Sequence, residues 1–382
     1  MAESDKVYQK HQSFVGMRHR GPLPEVLPRV ERLYGSLPDD GDARTRVIRR
    51  ACEELVGKAV DAGGHPPFTL HGNVADEIGR ITDAELPRYL HYRFRYETNP
   101  QRKVLDDYPP CLQVEPSSIC NFRCVFCYQT DMAFTKRSGG HMGTMSLDLF
   151  KRIIDQAEGN IEAVTLASRG EPLVCPAIEA LLAYMAGKFL ASKLNTNAWY
   201  LDERKCHAIL QADIGTLVFS VDAAEETAYS RLRMGGKLDR VRENIQRFQR
   251  IRAERYPESR TITRVSGVKY PGSSGLDDMA SYWGEYADQV AFVDYNPWEN
   301  TYERPVNDLK TPCSDLWRRM FIWWDGRTNP CDVDYRSTLS VGNSKDSSVS
   351  GLWRSGPYQE LREDHLKKGR SRRSPCCRCT VV

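Results

Sequence analysis

Nothing in this chain stays apolar for long. No stretch approaches the ~20 apolar residues that a membrane-spanning helix needs. The opening, MAESDKVYQKHQSF, is polar and lacks the apolar core of a secretion signal. Charge of one sign is scarce as well. Lys and Arg number 54 against 51 Asp and Glu, a formal net charge of +3, so no global field calls for nucleic acid or a membrane surface as partner. Low-complexity segments are missing, as is any internal repeat beyond an alternation of strands and helices. These absences predict a cytoplasmic globular protein, and 382 residues allow two or three domains with a substantial core. Cysteine, by contrast, is plentiful at twelve residues. In a reducing compartment that number speaks for metal or redox chemistry more than for disulfides. One basic run, KKGRSRRSPCCRC over 367–379, reads either as a solvated loop or as cations beside an anionic group.

Residues 1–108 read as a mostly helical N-terminal extension. PEVLPRVERLYGSL and DARTRVIRRACEELVGKAV place apolar residues near helical spacing; GGHPPF interrupts, and NVADEIGRI and DAELPRYLHYRFRYE follow. No chemical motif lies there. From 109 the texture changes: CLQVEP, AVTLAS, SKLNTN, TLVFSV, TITRVSGV and VAFVDY read as strands. Between them SLDLFKRIIDQAE, AIEALLAYMAGKF, DERKCHAILQA, LDRVRENIQRFQRIRAE and LDDMASYWGEYA read as helices. This alternation predicts an α/β fold, a parallel sheet curled into a partial (βα)6 TIM-like barrel over 109–305. Such barrels carry their chemistry on the loops that leave the C-terminal ends of the strands. The segments NFRCVFC, SRGEPL, NTNA and SVDAA all follow strands, and should converge on one face.

The loop CNFRCVFCYQ spaces Cys120, Cys124 and Cys127 as C-x3-C-x2-C. A structural zinc site closes with four Cys or His ligands, and no fourth is near in sequence. A [4Fe-4S] cluster ordinarily takes four thiolates; held by three, it keeps one iron open to a small molecule. The loop resembles the signature of the radical S-adenosylmethionine (radical SAM) family, with Phe126 as its aromatic position. In that family the open iron chelates the amino and carboxylate groups of the methionine moiety. An electron from the cluster then cleaves the sulfonium, and the 5′-deoxyadenosyl radical so released takes hydrogen from the substrate.

The later loops fit the same resemblance. Gly170, Glu171 and Pro172 match the family's Gly-Gly-Glu-Pro motif, with Arg169 in place of the first glycine. Glu171 is thereby expected to pair with the methionine ammonium. NTNA, with Asn195 and Asn197, resembles the family's Thr-Asn segment, and FSVDA offers Ser220 and Asp222 to the ribose hydroxyls.

The C-terminal region over 306–382 resembles the SPASM/twitch group of auxiliary-cluster domains. Cys313 and Cys331, with Gly326 between them, precede VGNSKDSSVSGLWRS, a Gly-Asn hairpin and Trp-containing helix, and the closing CCRC. The resemblance implies Cys313, Cys331, Cys376 and Cys379 as ligands of a second [4Fe-4S] cluster. The shorter twitch form, a β-hairpin plus helix with one cluster, fits better than the full pattern. Cys376 is preferred to Cys377 because C-x2-C turns both thiolates to one metal; a zinc ribbon is the competing reading. With all four ligands from protein, the cluster is expected to have a structural or electron-transfer role. Of the remaining cysteines Cys52, Cys111, Cys175, Cys206 and Cys377, Cys206 reads as a buried small hydrophobe. Cys175 is either packing or a hydrogen donor to a substrate radical.

The resemblance extends to aminocyclitol and sugar dehydrogenases of antibiotic or polysaccharide biosynthesis. It implies an oxidoreductase that takes hydrogen from a carbinol carbon and passes an electron to the auxiliary cluster, giving a ketone. A flavodoxin or ferredoxin would be its external reductant, and a carbohydrate-like small molecule its substrate. Arg169, Asp294, Tyr295, Trp298 and Glu299, with Arg264, are the residues expected at that substrate. Competing outcomes are a cysteine-dependent epimerase, a ribosomal-peptide maturase, a dehydratase or deaminase of a nucleotide sugar, and a non-catalytic iron-sulfur carrier.

Overall fold

The computed structural model describes residues 7, 14–19, 26–59, 64–271 and 276–382. Most of the polar opening segment lies outside them, as do Pro24, Glu25, Val60 and Gly63 of the N-terminal segments quoted above. Ten strands form one sheet. They are β1 (Phe14–His19), β2 (Cys111–Val114), β3 (Ala163–Leu166), β4 (Lys193–Thr196), β5 (Thr216–Ser220), β6 (Ile262–Lys269), β7 (Gln289–Asp294), β8 (Arg319–Ile322), β9 (Arg327–Asn329) and β10 (Gly342–Asn343). Their spatial order is β1-β7-β6-β5-β4-β3-β2-β8-β9-β10. Strands β2 to β7 run parallel, each beside its predecessor in sequence, so the six strands of the partial barrel are the six read from the sequence.

Local chemistry explains the helices between them. Ser146 accepts from the Leu149 amide and starts helix Leu147–Ala157, whose Leu149, Phe150, Ile153, Ile154 and Ala157 are buried. Asp202 caps helix Glu203–Gln211 in the same way, and Cys206 packs fully buried inside it. Helix Leu238–Arg255 buries Val241, Ile245 and Phe248 on one stripe.

Both flanks join the sheet, a feature not read from the sequence. At one edge β1 pairs antiparallel with β7. At the other, β8 runs parallel to β2, with Arg319 opposite Cys111 and Ile322 opposite Val114, and hairpin strands β9 and β10 follow. The helices Leu27–Ser36, Ala43–Leu55, Gly72–Gly79 and Leu86–Arg102 share their own apolar cluster, which meets the barrel at Cys111 and Ala163. Those are the first residues of β2 and β3, so the helices close the end opposite the catalytic loops. Among the described residues, no helix is long and apolar enough to cross a membrane.

Candidate active site

The cysteine loop is pinned at both ends. The Ser118 amide donates to the Gly143 carbonyl (3.0 Å) and its hydroxyl accepts from the Gly143 amide (2.8 Å). Arg123–Cys124 pairs antiparallel with Arg233–Met234 beyond β5. Gln129 donates to the Ser118 carbonyl (2.8 Å), and the Tyr128 hydroxyl to Ser168 beyond β3 (2.8 Å). Thus Cys120, Cys124 and Cys127 come to one cavity of about 270 Å³ with Phe126, Gly170, Glu171, Asn195, Asn197 and Ser220. Burial pushes all three thiols up, and Glu171 adds to the effect at Cys120, which reaches about 12. A cluster bound here must therefore displace thiol protons as it loads.

Gly170 is required by contact. A Cβ there would lie 2.4 Å from the Ser118 carbonyl carbon and 2.5 Å from the Ser117 oxygen, both backbone atoms. Gly170→Ala is expected to destabilise the loop by about 1–3 kcal/mol and to weaken S-adenosylmethionine binding, read by anaerobic equilibrium dialysis.

Beside it, the Glu171 carboxylate accepts from the Thr196 hydroxyl (2.6 Å) and the Leu173 amide (3.1 Å) on one oxygen, and from the Asn197 amide (2.7 Å) on the other. A carboxylate has about four acceptor sites, so one remains for an ammonium group. Burial raises its pKa, which a neighbouring cation would reverse. Buried polar atoms lining the same cavity lack hydrogen-bond partners among the described residues: Asn195 Oδ1, Ser168 Oγ and Asn296 Nδ2. Three thiols, a carboxylate with spare capacity and these orphaned atoms fit a [4Fe-4S] cluster carrying S-adenosylmethionine. Asn197 also ties two loops together, donating to Asn121 Oδ1 (3.0 Å) and accepting from the Trp199 amide (2.9 Å). Pro172, the remaining residue of the motif, begins a buried single turn outside the cavity lining.

Asp222 stands differently from its expected ribose contact. It is buried and absent from the cavity wall; one oxygen accepts from the Val268 amide (2.6 Å) and the other is ion-paired with Arg233. Arg233, missed in the sequence, is the residue that reaches the cavity, its Nη1 3.7 Å from Cys124 Sγ. That cation lowers the cost of anionic thiolates. Nothing in RLRMGG distinguishes it from a surface arginine except the two glycines, which let the chain fold back against Phe122.

Of the residues expected at a substrate, Asp294, Tyr295 and Trp298 line the cavity. Glu299 stands behind the wall and accepts from the Tyr295 hydroxyl. Arg169 also borders the cavity, but each nitrogen of its guanidinium already donates elsewhere. It meets Glu115 through Nε (2.7 Å) and Nη2 (2.6 Å) and the Tyr335 carbonyl through Nη1 (2.9 Å), and lies 4.2 Å from the Trp323 ring centroid. Arg264 is at the opposite mouth, because it sits early in β6, below the level of Val268. Cys175 is buried, its thiol toward the Met145 carbonyl, and does not line the cavity.

The C-terminal cysteines form a second group. Cys313 and Cys331 pack with Cys379, Val333 and Val381. Burial raises the Cys331 thiol, with Cys376, Asp334 and Cys313 adding to the effect, and Cys376 is raised by burial, Cys379 and Cys313. Cys377 is buried, its carbonyl accepting from the Asn307 amide. Trp298 lines the reaction cavity and packs, as Cys313 and Cys331 also do, against the buried cluster of Val333, Cys379 and Val381. Tyr128, beside Cys127, stacks on Tyr335 at 5.0 Å, and Tyr302 meets Tyr335 edge-on before its hydroxyl donates to Asp334.

Residues 114–263 match the model of the Radical SAM superfamily, and residues 313–380 that of SPASM, an iron-sulfur cluster-binding domain. Among curated relatives, the dTDP-4-amino-4,6-dideoxy-D-glucose ammonia-lyase of Streptomyces venezuelae is 29% identical over 47% of this chain and 37% of its own length. The tungsten-containing aldehyde ferredoxin oxidoreductase cofactor-modifying protein of Pyrococcus furiosus is 24% identical over 66% of this chain and 82% of its own. Streptococcus suis SuiB, solved bound to S-adenosylmethionine, shares the fold at TM-score 0.52 and 16% identity, covering 72% of this chain and 73% of SuiB. The three-thiol loop and the four-thiol tail thus coincide with the two matched regions, and the chain carries a radical SAM domain over 114–263 followed by a SPASM iron-sulfur domain over 313–380.

Proposed function

We propose that this protein oxidises a carbinol carbon of a sugar or aminocyclitol to a ketone. The observation that carries the reading is the place of Trp298, which lines the reaction cavity and packs against the buried cluster of Val333, Cys379 and Val381, on which Cys313 and Cys331 also pack. When bound and reduced by one electron, S-adenosylmethionine supplies a radical strong enough to take the hydrogen atom from such a carbon. The substrate must then lose a proton from its hydroxyl and one electron. A path through Trp298 toward a cluster held by Cys313, Cys331, Cys376 and Cys379 suits the electron. A flavodoxin- or ferredoxin-like donor supplies the reducing electron that starts the cycle.

Tyr295 and Glu299 suit the proton. The phenol stands on the cavity wall and its hydroxyl is held by Glu299. Burial raises the Glu299 carboxyl, so it is a stronger base than an exposed glutamate. A substrate hydroxyl can pass its proton to the Tyr295 oxygen as the phenol proton moves to Glu299. Glu299→Gln is expected to lower ketone formed per 5′-deoxyadenosine by about 10²-fold, measured anaerobically by liquid chromatography.

The wall of Asp294, Tyr295, Trp298 and Asn296 mixes polar and aromatic groups, as a carbohydrate requires. The relative that acts on a dTDP-aminosugar supports the same substrate class. Its lyase chemistry is the second reading, in which the radical expels ammonia from the neighbouring carbon. An epimerase that returns a hydrogen atom from Cys175 is disfavoured, because that thiol does not line the cavity. The test is anaerobic incubation with dithionite, S-adenosylmethionine and a panel of sugars and aminocyclitols. Ketone formed with one 5′-deoxyadenosine supports dehydrogenation, and released ammonia supports the lyase reading. An inverted carbon carrying solvent deuterium overturns both.

A further inference from the structure

The basic run over 367–379 allows two readings, a solvated loop or cations beside an anionic group, and its residues divide between them. Lys367, Lys368 and Arg372 are exposed. Lys367 pairs with Glu363 (3.0 Å), and Arg372 and Arg373 turn to Asp364 and Glu360, all on the helix Gly356–Leu366 or just past it. Arg378 is partly exposed and donates to the Arg304 carbonyl. Water and surface carboxylates meet these charges.

Arg370 goes inward. It is 1% exposed, and its guanidinium donates to three backbone carbonyls: Cys376 from Nε (3.2 Å), Thr311 from Nη1 (3.0 Å) and Cys379 from Nη2 (2.7 Å). Two of those carbonyls belong to the closing C-x2-C, and Thr311 stands two residues before Cys313. Among the described residues Arg370 has no ion pair. An unpaired cation is costly to bury, so its surroundings must answer it. Burial raises the Cys313 thiol to about 11, with Asp315 adding to the effect and Arg370 opposing it. Burial also raises Cys376, with Cys379, Cys313 and Asp334 adding to the effect, and again Arg370 opposes it. His365 supplies no second cation, because its Nδ1 accepts from the Cys313 amide (3.2 Å). Once the four thiols are ionised around iron, Arg370 is the buried counter-charge of the centre.

We propose that Arg370 is a positioning residue of the centre formed by Cys313, Cys331, Cys376 and Cys379, clamping its closing turn and raising the reduction potential of the cluster held there. A fixed cation in a water-poor site stabilises whichever state carries more negative charge, which is the reduced one. Taking up an electron from a substrate radical is thereby made more favourable. That use of the electron rests on the proposed oxidation; the effect on the potential does not.

The test is an anaerobic redox titration of the full-length, cluster-loaded protein, read by electron paramagnetic resonance on the signal that Cys331→Ala removes. Arg370→Gln is expected to lower the ratio of reduced to oxidised centre at a fixed potential about tenfold, a midpoint shift of ~59 mV for one electron. Arg370→Lys keeps the charge without the fork and is expected to recover most of that shift. A residue that only braced the turn would shift the midpoint equally in both variants. Arg372→Gln, in the exposed part of the run, is expected to leave the midpoint unmoved. In the native chain the midpoint is expected to hold between about 0.05 and about 0.5 M salt, because a buried charge is little screened; this measurement needs no variant to load its clusters. A native midpoint in Arg370→Gln, equal shifts in the two Arg370 variants, or a midpoint that falls with salt overturns the proposal. No substrate is present in the titration, so this role of Arg370 and the proposed reaction stand or fall separately.

Discussion

Cys124→Ala is expected to bring 5′-deoxyadenosine formation to background, whereas Cys331→Ala is expected to leave it near the native rate under dithionite. Each variant should lose about four of about eight irons per chain. The asymmetry follows from geometry. Cys124 stands on the reaction cavity with Glu171 and Arg233, where S-adenosylmethionine fits. Cys331 is outside that cavity, with Cys376 and Cys313 close enough to raise its thiol further. Iron analysis, cleavage assay and electron paramagnetic resonance on the same samples check the contrast. Continued cleavage in Cys124→Ala, or parallel loss in both variants, contradicts the assignment of the two centres.

The second large effect concerns Arg169. Its guanidinium is sealed inside the protein with Glu115, which is 0% exposed and also accepts from the Trp324 amide. Arg169→Ala leaves that carboxylate buried beside two amides and no cation. Breaking a buried pair in this way costs about 3–5 kcal/mol. Because Arg169 also holds the Tyr335 carbonyl and lies over Trp323, the loss falls on the junction between the barrel and the C-terminal region. Arg169→Lys should restore little of it, since an ammonium cannot grip both oxygens in a fork. Thermal unfolding under anaerobic conditions checks this: the alanine and lysine variants should both melt several degrees below the native chain, and near-native melting of either counts against the pair.

How much of this was legible beforehand varies with the range of the interaction. The six barrel strands and the helices between them were readable because alternation of short apolar runs with 3.6-residue periodicity is a local signal. The cysteine loop was readable because its spacing is itself the chemistry. Arg169 was expected at a substrate because GGEP-like loops face the cavity. Its true partner is 54 positions earlier, and only the β2–β3 pairing brings them together. Asp222 was misjudged for the same reason: the Arg233 that claims it approaches through the two-residue ladder with Arg123–Cys124. Arg264 shows a different limit. A strand rises about 3.3 Å per residue, so the four residues from Arg264 to Val268 carry the chain from one mouth of the barrel to the other. Predicting that a strand exists does not say at which height a side chain stands.

The continuity of β8 with β2 has a consequence for how this molecule can be taken apart. The iron-sulfur tail is not a cartridge clipped onto a finished barrel. Without it, β2 becomes a rim of bare amides and carbonyls, the kind of border that recruits strands from neighbouring molecules. Redox module and radical scaffold are thus two ends of a single woven panel, and neither has a closed boundary of its own.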